Sequence, residues 1–391
     1  MRLLFPSKLR LKTRNRVDYY SLLNVAWTKK LIRLKYRKLI HQEYLILNFT
    51  NIISVKRMNQ SRKHDWQKKL AQGFGSAVEL LDYLQLPRTL ADGLAEQQFK
   101  TRVPRGFAAR MQVGNSLDPL LLQVLAVSEE LQGVAGFSED PLQEGVANPV
   151  PGLIHKYMNR VLLTITGACA INCRYCFRRH FPYEANNPGQ AGWDEALAYI
   201  QTDPRITEVI LSGGDPLLAK NAILDDLVGK LTLIEHVRTL RIHTRIPVVL
   251  PERVDDGLLS CLTKNRLKTV IVLHSNHPQE LDHHVADACS RLREAGCHLL
   301  NQSVYLAGIN NSAQILAKLS ERLFDCGVLP YYLHVLDKVQ GAAHFDAPMD
   351  EVYAVFQELQ CLLPGYLVPR LAIEEPGKLH KTLVGKAHYA A

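Results

Sequence analysis

Six apolar runs recur in the carboxyl-terminal part of the chain, and their spacing restricts the fold more than any other feature of the sequence. The runs are rich in Val, Ile, Leu and Tyr and begin near residues 161, 208, 239, 269, 299 and 330. The last four intervals are close to 30 residues, the length of one strand with its crossover helix. Helical patterns fill gaps at residues 224–233, 281–295 and 313–324. This repetition predicts an α/β fold with a parallel barrel or partial (β/α)6 barrel, and a doubly wound open sheet is the alternative.

A different pattern precedes the predicted barrel. Apolar residues between positions 64 and 86 recur at steps near three and four, which predicts an amphipathic helix ending before Pro87. Residues 117–131 show a similar pattern, and residues 141–151 are rich in turn formers. We therefore predict a helical segment at residues 58–150, the barrel at 151–345 and a carboxyl-terminal segment at 346–391.

The basic character of the chain is confined to a leader at residues 1–57. The leader holds 14 Lys or Arg and two acids, a charge of +12, so the total of +9 leaves −3 for the remaining residues. An organellar transit peptide, a nucleic-acid arm and upstream sequence before a start at Met58 all fit this segment. We favour the last because composition changes at Met58. The body of the chain does not have the charge of a nucleic-acid-binding protein.

The cysteine content indicates a reducing compartment. Eight cysteines in 391 residues are too few for a disulfide scaffold, and three of them fall within one short loop. No apolar run approaches the length of a membrane-spanning helix. These observations predict a cytoplasmic protein that does not enter the membrane.

Polar residues follow each of the six apolar runs. The runs lead to a cysteine-rich loop and to segments that contain Ser, Gly, Asp, His, Thr, Arg, Asn and Lys, at residues 212–216, 243–245, 274–277, 310–311 and 337–338. Parallel α/β folds place their sites at the carboxyl ends of the strands. Loops are commonly polar without being functional, but six consecutive loops of this kind predict an active site at this end of the barrel.

The cysteine loop, residues 169–176, predicts a metal site. Cys169, Cys173 and Cys176 have x3 and x2 spacing, which suits three ligands of one [4Fe-4S] cluster and leaves one iron without a protein ligand. A structural zinc site would need a fourth ligand, for which His180 lies four residues on. Buried reduced thiols without a metal are the third interpretation.

Two further segments carry groups that can bind a charged ligand. The turn Gly213-Gly214-Asp215 offers backbone groups and one carboxylate, although Gly-Gly turns commonly bind nothing.

Lys156, Tyr157 and Arg160 provide two cations and a phenol that suit a phosphate, or form a solvated surface patch. Near the carboxyl end, Lys381 follows a Gly-containing turn, and a buried lysine there can form a Schiff base with an aldehyde cofactor.

Taken in order, these motifs resemble the lysine 2,3-aminomutases, a family of radical S-adenosylmethionine enzymes. The resemblance spans about residues 58–381 and includes the cysteine motif. Its other segments are residues 155–157, 173–179, 212–217, 301–304 and 330–332. Residues 333–345, Leu-His-Val-Leu-Asp-Lys-Val-Gln-Gly-Ala-Ala-His-Phe, resemble the branch of the family that makes β-lysine for modification of elongation factor P.

The resemblance implies a radical S-adenosylmethionine isomerase with three cofactors. A [4Fe-4S] cluster would be held by the three loop cysteines, and S-adenosylmethionine would bind its fourth iron, with Gly213, Gly214 and Asp215 at the methionyl end. Pyridoxal phosphate would be bound by Lys381, with Lys378 as the rival position. Lys156, where an arginine is usual in the family, would lie near this cofactor together with Tyr157 and Arg160.

The resemblance also implies the substrate and partners. Arg178 would bind the carboxylate of free L-lysine and Glu374 would face its far amino group, whereas Asn311 stands where the family has an aspartate. The product, β-lysine, would serve elongation factor P and its β-lysine ligase; a homo-oligomer is compatible with the sequence, and neither nucleic acid nor membrane is expected as a partner.

Two alternatives stay open. Because Asn311 lacks the expected carboxylate, a radical aminomutase acting on another amino acid, such as glutamate, is the first. Glu374 opposes an acidic substrate because like charges repel. A nucleic-acid-binding protein with a structural metal is the second.

Overall fold

One nine-stranded sheet organises the part of the chain that the computed structural model describes, residues 65–186 and 189–385. The basic leader predicted at residues 1–57 lies outside these residues. The strands are β1 Leu153–Tyr157, β2 Arg160–Thr166, β3 Glu208–Gly213, β4 Thr239–Thr244, β5 Lys268–His274, β6 His298–Val304, β7 Leu329–His334, β8 Arg370–Ile373 and β9 Thr382–Leu383.

The strands pair in sequence order, and β2 to β8 are all parallel. β1 and β9 add antiparallel strands at the two edges. The doubly wound alternative is wrong, because that fold reverses strand order at a switch point and this sheet does not. Each of the six predicted strands begins within one residue of its predicted position, and β8 is a seventh parallel strand.

The sheet curls so that its two edges meet. Lys156 of β1 and Glu374, which directly follows β8, are joined by an Nζ–Oε1 distance of 3.3 Å. In a flat sheet, seven steps of about 4.8 Å would separate β1 from β8 by about 34 Å. The predicted partial barrel is therefore confirmed.

Helices cover the outside of the sheet, and three of the crossover helices were predicted. The helices are α1 Asp65–Ala71, α2 Ala77–Tyr83, α3 Gly93–Gln98, α4 Arg105–Ala108, α5 Pro119–Leu122, α6 Tyr183–Asn186, α7 Gly189–Thr202, α8 Asn221–Thr232, α9 Ile246–Val249, α10 Asp256–Thr263, α11 His283–Glu294, α12 Ala313–Asp325 and α13 Met349–Leu362. The three predicted helices are α8, α11 and α12. Aspartates cap four of the helices, α3, α5, α10 and α11; for example, Asp255 accepts from Leu258 N at 2.7 Å before α10, and Asp282 from Val285 N at 3.0 Å before α11.

The prediction of one helix over residues 64–86 is wrong. The chain there forms α1 and α2, separated by residues 72–76. Phe74 leaves the helix to pair with Val103, and Ser76 then caps α2 by accepting from Glu79 N. The pattern over residues 117–131 gives only the short α5 and a later 3-10 turn at Ser128–Leu131. In both stretches the apolar spacing predicted many of the buried residues, although Val78, Leu117 and Leu131 are exposed, and it did not predict where the helices are interrupted.

The helical segment that precedes the barrel packs into the same core as the barrel. Trp66, Leu81 and Phe107 are buried in one continuous cluster with Val209 and Ile242 of the sheet. This packing places the segment against the end of the barrel that carries the cysteine loop. None of the described helices is long and apolar enough to cross a membrane.

Candidate active site

A cavity of about 620 Å³ lies at the carboxyl ends of the parallel strands. Twelve of the thirteen residues predicted for the site line it, and they come from the sheet edges, the cysteine loop, the β3 loop and the segment after β8. They are Lys156, Tyr157, Arg160, Cys169, Cys173, Cys176, Arg178, Gly213, Gly214, Asp215, Glu374 and Lys381.

Asn311 is the predicted site residue that the structure leaves outside. Its side chain is exposed, accepts from Gly308 N at 3.0 Å and donates to Glu351 at 3.4 Å. Lys378, the rival of Lys381, is also exposed and does not line the cavity.

A buried arginine within the cysteine loop ties the loop to the helical segment that precedes the barrel. Arg174 is wholly buried and donates from Nε to Glu130 at 2.8 Å, while its backbone N–H donates to Gln123 O at 2.9 Å. Within the loop, Cys176 N donates to Cys173 O at 3.0 Å, which closes a turn. The helical segment before the barrel therefore holds the loop in a shape that turns all three cysteines toward the cavity.

The thiols fit a cluster better than a closed zinc site. Among the described residues, no three or more His, Cys, Asp or Glu side chains are arranged to hold one metal ion. A [4Fe-4S] cluster does not need such convergence, because each cysteine binds a different iron. His180, the candidate fourth zinc ligand, contacts Gln340 O at 3.2 Å and lies outside the cavity lining. Burial raises the pKa of Cys176 to about 11 and raises that of Cys169 well above its usual value, so a cation is needed to hold both as thiolates.

The Gly-Gly turn packs directly on the cysteine loop. Gly213 has φ of +112°, a conformation that favours glycine. A Cβ on Gly214 would lie 2.4 Å from Ala168 O, and Tyr183 OH donates to Gly213 O at 2.8 Å. Glycine at these positions therefore allows the turn to lie close against the start of the cysteine loop, and both the turn and the cysteines line the cavity, where one ligand can contact both.

Asp215 lines the cavity, and its carboxylate also has hydrogen-bond donors within the protein. Its carboxylate accepts from Thr244 Oγ1 at 2.7 Å, Arg245 N at 2.8 Å, and Leu217 N and Ile246 N at 3.1 Å each. Burial raises its pKa to about 6 in spite of these four donors. The carboxylate therefore ties the loop after β3 to the loop after β4.

A row of paired charges runs along the other side of the cavity. Glu374 pairs with Lys381, with Lys156 at 3.3 Å and with Tyr157 OH at 3.2 Å. Burial alone would raise the pKa of Glu374, but Lys381 and Lys156 outweigh burial and hold the pKa at about 2. Arg160 stacks on the Tyr157 ring at 4.1 Å. The half-buried amine of Lys381 and two further cations in this space fit an aldehyde cofactor that carries a phosphate.

Arg178 already has a carboxylate partner within the protein. Its Nε and Nη2 donate to Glu144 at 2.7 and 2.8 Å, and its Nη1 donates to Ser212 Oγ at 2.9 Å. Glu144 also lies 3.2 Å from Lys156. The arginine fork is thus anchored by Glu144, and only its Nη1 edge contacts the turn beside the cysteines.

Sequence comparisons agree with this site. A family model described as a 4Fe-4S single cluster domain matches residues 159–244. The L-lysine 2,3-aminomutase of Escherichia coli is 48% identical over 328 residues, 83% of this chain and 96% of that protein. The protein of the same name from Haemophilus influenzae is 47% identical over 82% of this chain and 96% of its own length. The chain belongs to the radical S-adenosylmethionine lysine 2,3-aminomutase family.

The membership extends to distant relatives. The L-lysine 2,3-aminomutase of Clostridium subterminale is 33% identical over 84% of this chain and 80% of its own length. A radical S-adenosylmethionine methyltransferase from Sphaerobacter thermophilus matches in structure with a TM-score of 0.40 and 18% identity, over 56% of this chain and 68% of that one. The predictions of an isomerase, of a [4Fe-4S] cluster and of S-adenosylmethionine as cofactor are confirmed for this lysine 2,3-aminomutase family member.

Two acidic residues of the cavity were not predicted as site residues. Asp337 follows β7, and its position after a strand was the signal that could have identified it. Burial, and then the carboxylate of Glu374, raise its pKa to about 7 against the opposing charges of Lys381 and Lys156. Glu144 lies in the turn-rich stretch before β1, where no strand or motif marks it.

Three histidines at the ends of strands form a part of the cavity wall that carries no charge. Burial lowers the pKa of His274 and His334 to about 3 and that of His243 further. The rings of His243 and His274 pack edge to face at 5.9 Å, and the buried Nε2 of His243 has no hydrogen-bond partner in the protein. This wall can therefore accept or donate a hydrogen bond to a ligand without adding charge.

Proposed function

We propose that this chain is a lysine 2,3-aminomutase that moves the α-amino group of free L-lysine to C3 and so produces β-lysine. The observation that carries the proposal is that Lys381 and the three cysteines line one cavity. A radical formed at the cluster and a substrate attached near Lys381 would then share one space. The identity to curated relatives of this name supports the same conclusion.

Pyridoxal phosphate is the proposed second cofactor, and Lys381 is the residue that would bind its aldehyde. When bound, this cofactor supplies a π-system that lets an amino nitrogen move between adjacent carbons. Glu374 holds the Lys381 ammonium in place, and Lys156 and Arg160 provide positive charge for the phosphate. Lys378 is exposed and has no comparable surroundings.

S-adenosylmethionine would bind beside the Gly213-Gly214 turn. The absence of side chains at these positions lets the turn pack against the start of the cysteine loop, so that it lines the cavity next to the cysteines, and Asp215 ties the turn to the loop after β4. The protein itself supplies the position of the cluster and the shape of this turn.

The charges of the cavity favour a cationic amino acid. Glu374 and Asp337 line it, and when Lys381 is attached to its cofactor, Glu374 loses one of its cationic partners. Glu374 would then face the far amino group of a lysine as a carboxylate, with Asp337 nearby, whereas Glu374 would repel the side chain of glutamate. Asn311 takes no part in this recognition, since its side chain lies outside the cavity.

Product analysis by mass spectrometry tests the substrate. Protein reconstituted without oxygen, with S-adenosylmethionine, pyridoxal phosphate and reductant, is given L-lysine or L-glutamate in parallel. We expect β-lysine from the first and no β-amino acid from the second. Conversion of glutamate alone, with both cofactors shown to be bound, would refute lysine as the substrate.

We further propose that the β-lysine is used by a cytoplasmic ligase to modify elongation factor P. The segment at residues 333–345, which resembles the branch of the family with this role, supports the proposal. Deleting the gene should remove the β-lysyl mass from elongation factor P in the source organism, and a supply of β-lysine should restore it. An unchanged mass of the factor in the deletion strain would refute the link.

A further inference from the structure

A buried arginine of the loop after β4 reaches into the cysteine loop. Arg245 has 5% of its surface exposed, and its Nη1 donates to Cys173 Sγ at 2.7 Å. Cys176 is placed differently, because its sulfur receives the backbone N–H of Arg178 and no guanidinium. Cys173 and Cys176 therefore differ in their surroundings, and the sulfur of Cys173 is the one that accepts a hydrogen bond from a guanidinium.

The guanidinium is held in this orientation by groups from two other parts of the fold. Arg245 Nη2 donates to Gln123 Oε1 at 2.6 Å and to Glu280 Oε2 at 3.0 Å. Glu280 is wholly buried and accepts in turn from Gln123 Nε2 at 3.1 Å and Asn276 N at 2.9 Å. These partners leave Nη1 directed at the sulfur.

The backbone of Arg245 is fixed as well. Its N–H donates to the carboxylate of Asp215, which follows the Gly-Gly turn. Aromatic rings of Phe107 and Tyr175 lie 5.3 and 5.7 Å from the guanidinium carbon. Because both its main chain and its side chain are held by other groups, Arg245 is fixed in position relative to Cys173.

Hydrogen bonds to cluster sulfurs, together with the charge around them, set the reduction potential of an iron–sulfur cluster. Reduction adds one negative charge to the cluster, and a buried cation nearby stabilises that added charge more than it stabilises the oxidised form. This stabilisation of the reduced cluster is large where water is excluded. Arg245 is in such a place, with 5% of its surface exposed.

We infer that Arg245 is a positioning residue for the cluster, which orients Cys173 as a ligand and raises the reduction potential of the cluster bound there. The inference rests on the cluster of the proposed function but not on lysine as the substrate. It concerns the one-electron couple of the cluster, with dithionite as the reductant in the test.

The test compares two substitutions at Arg245 with a matched control. Arg245→Gln keeps a hydrogen-bond donor but removes the positive charge. Arg245→Lys keeps the positive charge but replaces the planar guanidinium and its several N–H donors with a single ammonium group. Arg253→Gln is the control, because Arg253 is also wholly buried after β4 but its Nε and Nη2 donate to Leu217 O and Ala219 O. Each reconstituted protein is titrated with dithionite, and the reduced cluster is followed by electron paramagnetic resonance.

We expect Arg245→Gln to lower the ratio of reduced to oxidised cluster at least tenfold at a fixed potential, a shift of 59 mV or more for one electron. Arg245→Lys should shift the potential in the same direction by less, and Arg253→Gln should leave it unchanged. Loss of iron from Arg245→Gln, with the circular dichroism spectrum and pyridoxal phosphate binding retained, would support the positioning role.

Full iron content with an unchanged potential in both Arg245 variants would overturn the inference. Should Arg245→Gln not fold, Arg245→Lys decides in the same way: an unchanged potential with full iron content overturns the inference, and a lowered potential or a loss of iron supports it. If the unaltered protein itself binds no [4Fe-4S] cluster, the proposed function fails first, and the two failures are thereby distinguished.

Discussion

The Nζ atom of Lys156 lies 3.3 Å from Oε1 of Glu374, and this ion pair joins the first strand of the sheet to the residue that follows its eighth. The pair shows that the sheet is curled, and it brings the residues proposed for pyridoxal phosphate from both ends of the chain into one place. The cysteine loop opens onto the same cavity. Two cofactor sites far apart in sequence are therefore neighbours because the barrel is nearly closed.

Lys381 is expected to be the residue that binds pyridoxal phosphate. Borohydride reduction of the protein with this cofactor should leave a pyridoxyl group on Lys381, which peptide fragmentation by mass spectrometry will locate. Lys381→Ala should lose the adduct and more than about 100-fold of the activity. The exposed Lys378 provides the control, since Lys378→Ala should retain both; a pyridoxyl group on Lys378 would contradict the assignment.

Gly214→Ala is expected to disrupt the cluster loop. Its Cβ would lie 2.4 Å from Ala168 O, so backbone must move at a cost of about 1–3 kcal/mol. Iron content and thermal unfolding should both fall. Gly229→Ala, in α8, is the matched control because its Cβ meets no atom within 4 Å, and it should be neutral or stabilising by up to about 1 kcal/mol. Equal effects of the two changes would argue against the packing of the turn on the loop.

Glu144→Gln is expected to destabilise the protein by about 3–5 kcal/mol, because it leaves the buried Arg178 without its charged partner. Urea unfolding at neutral pH measures the loss. Glu139→Gln, an exposed glutamate of the same segment, should change the free energy of unfolding by less than about 0.5 kcal/mol. A Glu144→Gln protein as stable as this control would show that the Arg178 pair contributes nothing.

Asp337 should give the protein a stability that declines with pH. Its pKa is about 7 in the folded protein and near 3.8 when unfolded, because burial favours the protonated form. The folded state therefore holds an extra proton between these values, and stability is lost as pH rises toward 7. Relative to Asp337→Asn, the unaltered protein should lose free energy of unfolding from pH 5 to 7 and then level off.

Urea unfolding at pH 5, 6, 7 and 8 measures this dependence. Asp287→Asn is the control, because that carboxylate is exposed on α11 and should reproduce the pH profile of the unaltered protein. A constant difference between the unaltered protein and Asp337→Asn from pH 5 to 7 would be inconsistent with a raised pKa at Asp337.

The strands and the cavity residues next to them were predictable from sequence, because both depend on local patterns. A strand buried in a parallel sheet is a continuous apolar run, and the residues just after it lie at the site. The cysteine spacing and Gly213-Gly214 are likewise local. What periodicity could not show was the break at Phe74, since that residue leaves its helix to pair with Val103, 29 positions later in the chain.

Other features depend on partners distant in sequence. Nothing in the local sequence indicates that Glu144 faces Arg178, that Asp215 turns toward the loop after β4, or that Arg245 reaches Cys173. Asn311 was placed in the site by its family position alone, and in the structure its side chain contacts Glu351 and does not line the cavity. Such pairings arise only when the barrel has closed.

The most direct test of the account follows the nitrogen of lysine. L-lysine labelled with nitrogen-15 in the α-amino group and carbon-13 at C2 is incubated with the reconstituted protein and both organic cofactors, and nuclear magnetic resonance records the nitrogen–carbon coupling. We predict that the one-bond coupling disappears as β-lysine forms, because the nitrogen has moved to C3. Retention of that coupling, with cluster and pyridoxal phosphate both shown to be bound, would contradict the proposed aminomutase activity.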